Sequence, residues 1–189
     1  MSLWGATTTD ESKPKYLTDE EKRDCYANEK GWVKATRGTG GRAGRVHEEV
    51  LVAIGDLHGG TSATAALAKG TISSINWNST AFDKSDGGTL SVTVNYNEQV
   101  DVTGTPQFTV TNDTPARNVV LDYASGTGTN RLTFTKAIAA NNAATDAGDV
   151  LSLGANAVAL NGGTVKDKGT NLASNITHGA GTGTITVVA

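Results

Sequence analysis

Sulfur, proline, aromatic rings and any strong excess of charge are all scarce in this chain. Cys25 is the single cysteine among 189 residues, so no disulfide closes within the chain and zinc sites built from several cysteines are excluded. Only three histidines occur, His47, His58 and His178, which limits any imidazole-based centre. Lys and Arg number 16 against 19 Asp and Glu. Residues 1–70 carry ten of each sign, whereas residues 71–189 carry six cations and nine anions. Neither part is basic enough to hold a nucleic acid by phosphate neutralisation, so no nucleic-acid partner is expected. No stretch approaches the roughly 18 apolar residues of a membrane-crossing helix, so no membrane partner is expected either. The opening MSLWGATTTDESKPK has neither the basic n-region nor the apolar core of a secretory leader. A protein made in a cytoplasm, and not secreted by the common route, is the expectation.

Alternation dominates what is present. Leu90 to Asn112, LSVTVNYNEQVDVTGTPQFTVTN, alternates apolar with polar residues, is rich in Val and Thr, and is broken by Gly and Pro. Half-buried antiparallel strands produce this period of two, with one face on a core and one in water. The pattern continues to Ala189 and predicts strands near 71–77, 89–96, 99–103, 107–112, 117–123, 130–135, 149–153, 156–160 and 183–188. Turns are expected at Gly87-Gly88, Asp113-Thr114-Pro115, Ser125-Gly126-Thr127-Gly128 and Asn161-Gly162-Gly163. The inward set should comprise Ile75, Trp77, Leu90, Val92, Val94, Tyr96, Phe108, Val110, Leu132, Phe134, Leu151 and Leu153. Val119, Val120 and Leu121 are consecutive and break the alternation, which predicts a bulge or a strand buried on both faces. This number of short strands in about 119 residues is that of one immunoglobulin-like β-sandwich. The outward positions are mainly Thr, Ser, Asn and Gln, groups poorly suited to catalysis.

The front of the chain differs in texture. Thr18-Asp19-Glu20-Glu21 forms a Thr-x-x-Glu capping box, which predicts a short helix from about Asp19 to Ala27 with Gly31 just beyond it. RGTGGRAGR, residues 37–45, reads as a flexible loop. An apolar run from Val50 to Ile54 precedes GDLHGG, and the Ala-rich segment that follows, ATAALAKG, is compatible with another short helix. The expected fold class is therefore mainly β: an immunoglobulin-like sandwich over 70–189, preceded by a small irregular α/β N-terminal anchoring region over 1–69.

Several motifs invite sharper readings. A strand followed by Gly55-Asp56-Leu57-His58-Gly59 is the first metal motif of calcineurin-like phosphoesterases, in which Asp and His hold one ion of a two-metal centre. The further Asp, Asn and His motifs such a centre needs do not follow, so a turn after a short strand is the preferred reading. Arg37, Arg42 and Arg45 sit among glycines without interleaved aromatics, which suits docking on an acidic protein surface better than RNA binding. Trp4 lies in a polar terminal arm that cannot bury an indole against itself. A pocket on this chain or on a partner would accommodate it. Asp83, Asp86, Asp101, Asp113, Asp146, Asp149 and Asp167 fall in or near loops. They raise the question of calcium between loops, but Asp is common in turns for backbone reasons. Cys25, on the expected helix, is read as a small core residue.

Two resemblances extend this reading. The run VTVNYNEQVDVTGTPQFTVTN, then GTGTNRLTFT, then VLSLGANAVALNGGTVKDKGTN, is similar to the bacterial immunoglobulin-like and cadherin-like repeats of cyanobacterial surface and motility-associated proteins. It spans about 71–188 and implies an adhesive or spacing module without catalysis. The front end, MSLWG followed by DESKPKYLTDEEKRDCYANEKGWV and EEVLVAIG, resembles the opening of small virion proteins in T4-like tailed phages of marine cyanobacteria. It spans about 1–55 and implies a virion structural protein, made in the host cytoplasm.

The resulting expectation is a non-enzymatic capsid decoration (cement) protein located on the virion. Its N-terminal region anchors on the particle and its sandwich stands outside. Tail, neck or baseplate component is an alternative, as is a carbohydrate-binding adhesion module. Expected partner-anchoring residues are Leu3, Trp4, Tyr16, Trp32, Arg37, Arg42 and Arg45. Expected partners are the major capsid protein or other virion subunits, further copies of the chain on the particle, and host-surface glycans. No catalytic residue, metal or cofactor is expected.

Overall fold

The computed structural model describes residues 17–37, 46–53, 69–114 and 117–189. Over these residues the protein is mainly β. One helix, α1 (Asp19–Asp24), leads into β1 (Cys25–Asn28), β2 (Gly31–Arg37) and β3 (Val46–Ala53). Then follow β4 (Ile72–Trp77), β5 (Phe82–Asp83), β6 (Gly88–Thr103), β7 (Gln107–Asn112) and β8 (Val119–Ser125). The chain ends with β9 (Thr129–Ile138), β10 (Val150–Ser152), β11 (Val158–Ala159), β12 (Thr164–Asp167) and β13 (Thr184–Val188). Hydrogen-bonded neighbours run in the order β3-β2-β1-β6-β9-β8-β7-β10-β13-β5, with β4 and β12 also on β6 and β11 on β7.

Local chemistry starts α1 and tertiary pairing ends it. Thr18 Oγ1 accepts from the Glu21 N–H at 3.3 Å, and Glu21 Oε2 accepts from the Thr18 N–H at 3.0 Å, the reciprocal capping box. The helix does not reach Ala27 as the sequence predicts, because the chain turns extended at Cys25. Residues 25–28 are instead a strand, held antiparallel to β2 and parallel to β6 at Ala27 and Glu98. All four are buried, and burial between two neighbours outweighs the weak local preference for helix. Cys25 is therefore a core residue of a strand. The β1–β2 hairpin turns through Glu29-Lys30, where the Lys30 N–H donates to Asn28 Oδ1 at 2.8 Å. Leu17, Cys25, Ala27 and Trp32 form a small core, against which Leu51 and Val52 of β3 pack.

The larger core draws on β4 to β13. Every residue of the expected inward set is buried except Trp77, which is partly buried against the same cluster. Phe108 and Phe134 sit at its centre with ring centroids 6.0 Å apart, and Tyr123 meets Phe134 edge-on at 6.0 Å. Two expected strands, 89–96 and 99–103, are one strand of 16 residues. The polar pair Asn97-Glu98 does not interrupt it because other strands satisfy its backbone. The Asn97 N–H donates to Thr71 O at 3.0 Å, and Glu98 lies beside β1. Register against β9 shifts between Asn95 and Val100.

The alternation through Val119-Val120-Leu121 is regular after all. Val119 and Leu121 face the core in register with Val110 and Phe108, and Val120 stands outward at 39% exposure. An outward valine, rather than a bulge or double burial, explains the consecutive apolar residues. The short strands β5 and β12 have no counterpart among the expected ones. β12 pairs with the far end of β6, from Thr164 opposite Thr103 to Asp167 opposite Val100. Gly126 makes the tight β8–β9 turn, with φ +118° and no room for a side chain, since a Cβ there would overlap Arg131 O.

Candidate functional site

A groove of about 670 Å³ lies between the β1–β3 region and the outward face of β4, β6 and β9. Its floor is set by register. Asn76, Thr93 and Thr133 stand opposite one another across β4, β6 and β9, and Asn95 stands opposite Arg131. Alternation dictates this: Val92, Val94, Leu132 and Phe134 point into the core, so the residues between them point out. The opposite wall is Asp24 at the end of α1, Tyr26 of β1 and Glu48 of β3.

Hydrogen bonds fix the lining. Thr93 Oγ1 donates to Asn78 Oδ1 at 3.0 Å, and Asn95 Nδ2 donates to Asn76 Oδ1 at 3.0 Å. Arg131 ties the two walls together: Nε donates to Asn95 Oδ1 at 3.0 Å while Nη1 pairs with Asp24 Oδ1 at 3.0 Å. Tyr26 donates its hydroxyl to Glu48, and Asn28 Nδ2 donates to the same carboxylate at 3.3 Å. Burial and then the adjoining carboxylate push the Tyr26 hydroxyl well above the usual phenol range, so it stays a donor. Trp77 borders the groove, its Nε1 donating to Gly183 O at 3.1 Å.

The loop aspartates mostly serve the backbone and two cations. Asp83 Oδ1 accepts from the Ser85 hydroxyl and N–H and from the Asp86 N–H, which lowers its pKa. Asp167 Oδ1 likewise accepts from the Gly169 and Thr170 N–H groups. Asp146 pairs with both Lys84 and Arg117, and Asp149 accepts from Asn112 Nδ2 at 2.8 Å with Arg117 3.7 Å away. Both carboxyl groups are held below the usual range, Asp146 chiefly by Lys84 and Asp149 chiefly by Asn112. This cluster joins the loops after β5, β7 and β9. Among the described residues no three of His, Cys, Asp and Glu gather as a metal-holding group. None of their helices is long and apolar enough to cross a membrane.

The expected anchoring residues divide. Leu3, Trp4, Tyr16, Arg42 and Arg45 lie outside the described residues, as do Asp56 and His58 of GDLHG and most of the Ala-rich segment. Arg37 closes β2. Trp32 is 5% exposed within the small core, so its ring is taken up inside the chain with little left for a partner. His47 is exposed on β3. His178 is structural: Nε2 accepts from the Ala157 N–H at 2.9 Å, Nδ1 meets Gly179 O at 2.6 Å, and the ring stacks on Phe108 at 6.2 Å.

The groove is not legible in the sequence pattern. Alternation identifies the outward Thr and Asn positions but not that β1 to β3 wall them in. No family model, curated protein or solved structure matches this chain.

Proposed function

We propose that this chain is a non-enzymatic structural protein of a tailed-phage virion, a capsid decoration protein. Its N-terminal region, 1–69, anchors on the particle, and an immunoglobulin-like domain, 70–189, is displayed outside. The observation that carries the fold half of this reading is the order of strand pairing. β4, β6, β9 and β8 pair in sequence, as strands A, B, E and D do in an immunoglobulin-like sandwich. β7, β10 and β13 pair as C, F and G do, and β5 runs parallel beside β13, while the further pairing of β7 with β8 joins the two groups into one continuous sheet. In place of an inter-sheet disulfide, the Phe108–Phe134 pair fills the centre.

The placement on a virion rests on the resemblance of residues 1–55 to virion proteins, joined with this fold. A small module with an anchoring segment suits the bridging of neighbouring capsomers, where many modest contacts add up through multivalency. The test is peptide mass spectrometry of purified particles, with this chain counted relative to the major capsid protein. A copy number of the order of the shell's own subunits is expected. Copies matching a single ring of subunits would move the protein to the neck or baseplate, and absence from the particle would refute the proposal.

A further inference from the structure

We infer that the groove between the β1–β3 region and the β4–β6–β9 face is a binding site for a neutral oligosaccharide. Its charges cancel, since Arg23 and Arg131 face Asp24 and Glu48, and Arg131 and Asp24 are already paired. A polyanion such as a phosphate chain or a sulfated glycan meets no surplus of cations there. Amides and hydroxyls dominate the rest of the lining, and they are what a polyhydroxyl ligand needs, because each can donate and accept.

The floor is organised before any ligand arrives. Asn76, Thr93 and Thr133 lie in one row across three strands spaced about 4.8 Å apart. That step is commensurate with hydroxyls on opposite sides of a pyranose ring. Asn76 uses Oδ1 to accept from Ser74 and Asn95. Among the described residues, its Nδ2 donors and the Thr133 hydroxyl have no partner and are available to a ligand. Asn78 and Arg131 brace the neighbouring groups, so little side-chain freedom is lost on binding. Trp77 lies on the opposite face of β4, in register with Val92, where it packs on the larger core and donates to Gly183 O, so the row beside it on the groove side is polar. The volume lies within the range of small-molecule sites. This inference does not depend on the virion assignment, because the groove would bind the same ligand wherever the protein resides.

The test applies the full-length chain to a glycan array of neutral gluco-, galacto- and manno-oligosaccharides and their sulfated counterparts. Titration of the strongest neutral ligand then follows by calorimetry and by 1H–15N NMR. Binding of at least one neutral oligosaccharide is expected, with shifts at the Asn76 side-chain amide and the Thr133 backbone N–H. Thr133→Lys, which projects a chain into the groove, should lower affinity at least tenfold, and Asn76→Ala severalfold, with near-ultraviolet circular dichroism unchanged. If either variant fails to fold, the shifts mapped on the wild-type protein decide the matter. No neutral binder, selective binding of sulfated glycans, shifts confined to other surfaces, or full affinity in a folded Thr133→Lys protein would each overturn the inference.

Discussion

Replacing Arg131 by Met should cost more than removing the carboxylate it pairs with, because its two partners differ in burial. Asp24 is partly exposed, and an ion pair at such a site is worth about 0.2–1 kcal/mol. Asn95 is 1% exposed, and its Oδ1 accepts from Arg131 Nε. Methionine fills much of the same space yet leaves that carbonyl oxygen without this donor, at a cost of about 1–3 kcal/mol. Arg131→Met is therefore expected to lose about 1–4 kcal/mol, and Asp24→Asn no more than about 1 kcal/mol. For a domain of this size each kcal/mol corresponds to about 2–4 °C in Tm. The assay is urea and thermal unfolding of both variants at low salt and at about 1 M salt. The Asp24→Asn effect should fade at high salt, when screening has already removed the pair, whereas the Arg131→Met loss should persist. Equal losses in the two variants, or an Arg131→Met loss that vanishes in salt, would mean that the buried Asn95 contact contributes little.

Three further outcomes are expected. Gly126→Ala places a Cβ against Arg131 O in a turn with positive φ and should destabilise by at least about 2 kcal/mol, measurable by urea unfolding. Glu21 has its pKa lowered from 4.5 to about 2, chiefly by its hydrogen bond to Lys34 and then by the Thr18 cap. The contribution is thus present in full above pH 4.5 and is lost as pH falls through about 2; amide protection factors across α1, taken against intrinsic exchange at each pH, should drop in that window, and Glu21→Gln should remove the dependence. Residues 70–189 expressed alone should show one cooperative thermal transition, because the whole larger core lies between Ile75 and Val187; a melt without a transition would mean that β1 to β3 are required.

Legibility in the sequence follows the range of the interactions. The Thr18–Glu21 box is readable because both partners lie within four residues. The inward residues from Leu90 to Phe134 are readable because alternation is a local pattern with a direct structural meaning. Cys25 to Ala27 look helical in sequence but are not, because their strand conformation comes from β2 and β6, the latter some seventy residues away. The expected break in β6 at Asn97-Glu98 fails similarly, since Thr71 and β1 satisfy that stretch from outside. Val120 shows the limit of pattern reading: hydrophobicity implies burial, whereas register places the residue in water. The groove needs three separate segments to meet, 23–48, 76–99 and 125–133, and only the outward polarity of the latter two is visible in sequence.

Whether the chain decorates a capsid is decided by a density map of the intact phage particle with this chain fitted into it. Density for the chain is expected on the outer capsid surface, repeated between capsomers. The β1–β3 side should lie against the shell and the β4–β13 domain outward. Density for the chain in the tail or neck, or an inverted orientation with β7, β10 and β13 against the shell, would contradict a decoration protein anchored by its N-terminal region.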